Sequence, residues 1–220
     1  MFYKLRLVKG IVYPSYLNYQ LSQAEKIQGL WKRIILLICS SGFLALLTAF
    51  FGIGNEILSK DLLTLPSSDF ESIKLLFAFG KTLWGLLFAV FMLFLPALFF
   101  WTVTEIPYTK LLSTQTFILF ILLIGKAVHL LFALLLGIDL FSSPLSLGVI
   151  IQYVTNNELL ITLFGSISVF HIWAIYLQYT YIKKMTEKEP RVIFSLVMVA
   201  YLFLLIISTL LHYTNIEGLL

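Results

Sequence analysis

Charge is scarce in this chain. Asp, Glu, Lys and Arg make up 12% of its 220 residues, where a soluble domain carries about a quarter. Cysteine is nearly absent too. Cys39 is the only one, which excludes an internal disulfide framework and a cysteine-built zinc site. It stands in an apolar run and reads as a small buried hydrophobe. The acids number 11, and none falls inside a long apolar run, so paired-carboxylate chemistry within a membrane is excluded. The sequence holds no HExxH, P-loop, GxSxG or dinucleotide fingerprint. Gly52-Ile53-Gly54 closes an apolar run with no strand before it, and reads as a helix end rather than a phosphate cradle. Enzymatic activity, a cofactor, a metal and a nucleic-acid partner are therefore not expected.

What the chain has in excess is apolar surface. AVILMFWYC make up 60% of it and the mean hydropathy is +0.98, more than one soluble core of this length can hide. A helix needs about 20 apolar residues to cross a bilayer, and five runs qualify: 34–54, 82–104, 111–137, 159–182 and 192–212. Backbone groups in lipid must be paired within their own segment, so long continuous runs imply helices, whereas a β-barrel would need short alternating ones. The expectation is an all-α, polytopic membrane bundle of five transmembrane helices. Residues 1–33 form a cytosolic or interfacial segment and 34–220 the membrane domain. The first run is expected to persist as an anchor, being too long for a signal peptide and lacking a small-x-small pattern after it.

Pro96 should kink the second helix. The stretch 70–79 reads either as an interfacial helix or as an early extension of that helix. The stretch 145–154 is too short to cross, and either lies on the outer surface or dips in. The basic residues set the orientation. Lys4, Arg6, Lys9, Lys26, Lys32, Arg33, Lys110, Lys183, Lys184, Lys188 and Arg191 fall on one side, and Lys60, Lys74 and Lys81 on the other. The positive-inside rule then puts the N-terminus in the cytoplasm and the C-terminus outside.

Few polar residues remain to carry function. Lys4, Arg6 and Lys9, interleaved with Tyr and Leu, suit an anionic lipid surface, or serve only as a topology signal. Trp31, Trp84 and Trp101 read as interface anchors. Lys126 and His129 are one helical turn apart on a single face. Ser168, His171 and Gln178 form a stripe on the fourth helix at spacings of three and seven. Lys126 and His171 should lie at similar depth, so a cavity between the third and fourth helices is expected, with both facing it. Such a cluster suits a lined pathway, a headgroup site or a docking point for an acidic partner group. Alternatively it is hydrogen-bonded glue between helices, which is the expectation for the histidines and Gln178. For Lys126 function is expected, since glue rarely requires a charge. His212 lies near the outer interface, too far away to complete a metal site.

Three motifs carry a resemblance. Tyr13-Pro14-Ser15-Tyr16-Leu17-Asn18-Tyr19 resembles the opening motif of the bacterial Yip-domain family (Ypt-interacting protein homologues). Ile106-Pro107-Tyr108-Thr109-Lys110-Leu111-Leu112-Ser113 resembles the segment opening that family's third helix. Ser168-Val169-Phe170-His171-Ile172-Trp173 resembles its Asp-x-Phe-x-x-Trp motif, with Ser168 standing where Asp is frequent. The likeness spans residues 11–210. It implies a five-helix membrane protein of a bacterial cell membrane without enzymatic activity, acting as accessory or scaffold to an ABC exporter or an envelope-defence system. The alternative is a transporter or channel subunit with a polar pathway around Lys126 and His171.

Overall fold

The computed structural model describes residues 2–53, 67–138 and 143–213. Lys60 and Gly54, part of the charge and span expectations above, lie outside these residues, as does the chain end beyond Tyr213. The N-terminal segment folds into a small cap. Strand β1 (Phe2–Lys4) leads to helix α1 (Leu7–Val12), helix α2 (Pro14–Ser22) and strand β2 (Lys26–Gln28). Tyr13 separates the two helices because a residue before proline is pushed off the helical conformation, while Pro14 suits the first position of α2. β1 and β2 pair in parallel, Phe2 opposite Lys26, Tyr3 opposite Ile27 and Lys4 opposite Gln28.

This cap is docked on the bundle. Tyr3, Leu5, Ile11, Leu17 and Leu21 are buried in the main core, leaving Tyr13 and Tyr16 exposed. Three long-range bonds hold it. The Tyr181 hydroxyl donates to the Gly10 carbonyl at 3.0 Å, Asn18 Nδ2 to the Thr180 carbonyl at 2.6 Å, and Lys110 Nζ to the Ser22 carbonyl at 2.6 Å. Tyr181 also stacks on Phe117, with ring centroids 5.3 Å apart.

The bundle follows: α3 (Leu30–Phe50), α4 (Ser67–Val103), α5 (Tyr108–Leu136), α6 (Gly148–Val154), α7 (Glu158–Gly165), α8 (Val169–Met185) and α9 (Pro190–Tyr213). Among the described residues, four helices are long and apolar enough to cross a membrane: α3, α4 over Ser72–Val103, α5, and α9 over Pro190–Thr209. α4 has 37 residues, about 55 Å at 1.5 Å per residue, well beyond the ~30 Å of a hydrocarbon core. The stretch 70–79 is thus an extension of the second span, and the helix continues through the buried Pro96. α3 ends in a paired turn. Gly52 takes a left-handed φ of 73°, its N–H reaches the Ala49 carbonyl, and the Ile53 N–H reaches the Thr48 carbonyl. Cys39 lies on the exposed face of α3 rather than in the core.

The fourth expected span, 159–182, is not one helix. α7 has eight residues and α8 has 17. Between them the backbone leaves the helix at Ser166–Ser168 and pairs with the segment before α6. The Leu147 N–H donates to the Ile167 carbonyl at 2.9 Å, and the Val169 N–H to the Leu145 carbonyl at 3.0 Å. The stretch 145–154 is therefore folded against the broken helix, with α6 packed beside α7.

α5 is the central element. Residues 111–119 are buried all round, the mark of a core helix, and its hydroxyls are internally satisfied, Ser113 and Thr116 each bonding back four residues at 2.8 Å. α3 and α4 flank it on one side, α8 on the other, and α9 packs on α8. The α3–α4 seam is the most extensive helix contact and runs on small residues. Ser41 Oγ donates to the Gly85 carbonyl at 2.7 Å. A Cβ on residue 85 would stand 2.6 Å from the Ala45 Cβ and 3.0 Å from the Ser41 carbonyl oxygen, so only glycine lets the backbones meet. Gly85→Val should lower stability by about 1–3 kcal/mol through overpacking, read as a lower thermal midpoint in detergent. Gly80→Ala, in open space on the same helix, should hold or raise the midpoint. Equal midpoints for Gly85→Val and the parent protein would refute the seam.

Candidate functional site: a cationic cavity in the helix bundle

Lys126 and His129 share one face of α5, as their spacing requires, and that face looks into an open cavity between α3, α4 and α5. Its volume is about 220 Å³, several times the ~30 Å³ share of one water. Thr48, Lys81, Trp84 and Ser143 also line it. The cavity lies on the opposite side of α5 from the expected one, and His171 is not part of its wall. The face of α5 turned to α8 is closed, with Phe170 packed directly on Gly125.

Lys126 is exposed and borders the open cavity. Nζ sits 3.5 Å from the centroid of the Phe88 ring. A cation–π contact contributes about 0.5–2 kcal/mol, whereas a lysine charge in mid-bilayer costs ~3 kcal/mol on the lowest scales and far more on others. The ring alone does not offset such a charge; water or an anion admitted by the cavity would complete its compensation. No carboxylate lines the cavity among the described residues. Lys81 is engaged elsewhere. Its Nζ donates to the Ile53 carbonyl at 2.7 Å, closing the end of α3, and it lies 5.3 Å over the Phe77 ring.

Ser168 and His171 do a different job. Ser168 is the N-cap of α8 and His171 the third residue of that helix, and the two form a reciprocal capping box in which histidine replaces the usual Glu or Gln. The Ser168 N–H donates to His171 Nδ1 at 3.2 Å, and Ser168 Oγ lies 2.8 Å from the same atom. An acceptor at Nδ1 puts the proton of the neutral ring on Nε2. The ring edge meets Tyr201 of α9 at 5.8 Å. His171 nonetheless lies within the electrostatic field of His129 and Lys126. Four of the five expected polar residues are thus brought to one level of the bundle. Gln178 is not; it is buried on α8 seven residues further on, about 10 Å along the axis.

At the opposite end, Lys4, Arg6 and Lys9 separate. Lys4 lines a surface pocket with Lys32 and Arg33, Arg6 precedes α1, and Lys9 is exposed within it. The sequence reading passed over Gln115, which is fully buried in α5 with Nε2 lacking a hydrogen-bond partner among the described residues. Its only signal was a polar run, Ser113-Thr114-Gln115-Thr116, inside an apolar span. Among the described residues no group of three His, Cys, Asp or Glu side chains converges as a metal site would require.

Compared with protein-family models, curated proteins and solved structures, the chain matches none. The class is defined by the fold itself: a helical, multi-pass membrane protein with a cation-lined cavity between its first three long helices.

The capping role of His171 can be tested by exchange. His171→Gln supplies an acceptor at the same helix position and should hold stability near the parent value. His171→Leu leaves the Ser168 N–H without it, at a cost of about 1–3 kcal/mol for a buried unpaired donor. Thermal unfolding in detergent reads the difference, and equal midpoints for the two variants would dismiss the cap.

Proposed function

We propose that this chain is a non-enzymatic accessory protein of a bacterial cell membrane, of Yip type, with the capped end in the cytoplasm. In this reading it docks on another membrane protein, an ABC exporter or an envelope-defence system, by accepting an anionic group into the cavity beside Lys126. The observation that carries the proposal is the Lys126 ammonium, held in an open cavity against an aromatic face with no carboxylate lining it among the described residues. A partner's carboxylate or a lipid phosphate would supply the missing counter-charge.

The orientation has its own support. The cap bonds to Lys110 at the start of α5 and to the end of α8, and Lys184 lies 5.9 Å from the Tyr19 ring. The cap, Lys110 at the start of α5 and Lys184 at the end of α8 are thus gathered at one end. Arg6 and Lys9 are exposed there, where anionic headgroups would meet them. A tag fused to the C-terminus should accordingly be reached only from outside the cell. A tag reached only from the cytoplasm would reverse the orientation.

The same cavity favours one other reading, a transporter or channel subunit passing an anion along Lys81, Lys126 and His129. Lys126→Met keeps length and helix propensity while removing the charge. In the docking reading, Lys126→Met protein inserts normally but loses at least tenfold in recovery of its co-purifying membrane partner. In the transport reading, the pure protein in liposomes conducts anions and Lys126→Met does not. Parental partner recovery and absence of flux together would discard the cavity as the working site.

A further inference from the structure

A second cationic site lies at the other end of α3, where parallel pairing of β1 with β2 carries Lys4 to the head of that helix. Lys4, Lys32 and Arg33 converge there on a pocket of about 320 Å³ floored by Gln28 and Gly29. Among the described residues, none of the lining side chains is acidic. Two further observations point to a bound anion. Arg33 Nε is wholly buried and has no hydrogen-bond partner among the described residues. α3 starts at Gly29, which has no side chain to cap it, so the positive end of the helix dipole meets the pocket that Gly29 lines. Tyr3 stands behind Arg33, its hydroxyl buried and likewise without a partner. Burial pushes its phenol up to about 12, against the opposing pull of the Arg33 charge. Three cations gathered on one pocket are what an anionic ligand satisfies through charge-assisted hydrogen bonds.

Position selects the ligand. The pocket is at the mouth of an apolar span whose first turn carries Trp31, 63% exposed, the residue type that settles at headgroup level. We propose that Lys4, Lys32 and Arg33 form a discrete site for the phosphate of one anionic phospholipid headgroup, with Arg33 as the hydrogen-bonding fork and the two lysines as counter-charges. This site is separate from the Lys126 cavity and stands or falls independently of it. Diffuse attraction from Arg6 and Lys9 adds to surface binding without lining the pocket.

The test is calorimetric titration of the full chain, in neutral detergent, with short-chain phosphatidylglycerol. One saturable site is expected. Lys4→Gln, Lys32→Gln and Arg33→Gln combined should weaken it at least tenfold, and Arg6→Gln with Lys9→Gln less than threefold. Should the triple variant fail to fold, the exposed Lys32→Gln alone should weaken binding three- to tenfold. Soluble glycerol 3-phosphate is the second arm. Weak or no competition supports a lipid-borne phosphate, and competition at equal concentration overturns the lipid assignment in favour of a free phosphate ester. Equal losses in the pocket and control variants, or parental binding by Lys32→Gln and the triple variant, would overturn the site altogether.

Discussion

Backbone polar groups that leave water must find partners inside the protein, and this constraint organises the bundle around the break in its fourth apolar run. Ser166–Ser168 lie about 20 Å along α8 from the docked end, and lipid beside them would offer no hydrogen bonds. The break is tolerable because groups freed there find partners. Leu147 and Val169 exchange backbone bonds with Ile167 and Leu145, Ser168 with His171 closes the start of α8, and Ser166 Oγ returns to the Thr162 carbonyl at 2.7 Å. The segment before α6 is thereby drawn in to act as a short strand partner. The positive end of α8 comes to rest at the level of Lys126 and His129, so one irregularity concentrates the positive charge of the membrane region at a single depth.

Lysine plays two further roles that follow from the same constraint. Lys81 and Lys110 each reach across to the last carbonyl groups of another helical segment, at Ile53 and Ser22. A cation at a helix C-terminus interacts favourably with the dipole, by about 0.3–1 kcal/mol, and also fills an acceptor that the helix cannot. Among the described residues Lys126 meets no such carbonyl and instead borders a cavity. The three lysines differ in what they face, which their sequence neighbourhoods do not disclose.

Long apolar runs declared α3, α4, α5 and α9, because crossing length and hydropathy are local properties. The break did not show, because Ser168 and His171 three apart fit a polar stripe on a continuous helix as well as a capping box. With Glu or Gln in place of His171, the box signature would have been open to reading. Lys126 and His129 were legible as one face, but periodicity cannot name the helices that face meets, and the cavity fell on the other side of α5. The cap was the least legible part. Its strands are three residues each, too short for a pattern, and the meeting of Lys4 with Lys32 and Arg33 depends on a pairing that no local rule announces.

The bonds that hold the cap also impose an order on its assembly. Gly10 and Asn18 are bound by Tyr181 and Thr180, which lie 171 and 162 residues further along. A ribosome adding about 5–20 residues per second separates the emergence of these partners by roughly ten to thirty seconds. Throughout that interval the cap segment has no completed surface to dock on, although its apolar side chains are already present. The cap thus waits for the helices it is fastened to. Its closure onto α5 and α8 follows only once the chain through Tyr181 has been threaded and packed.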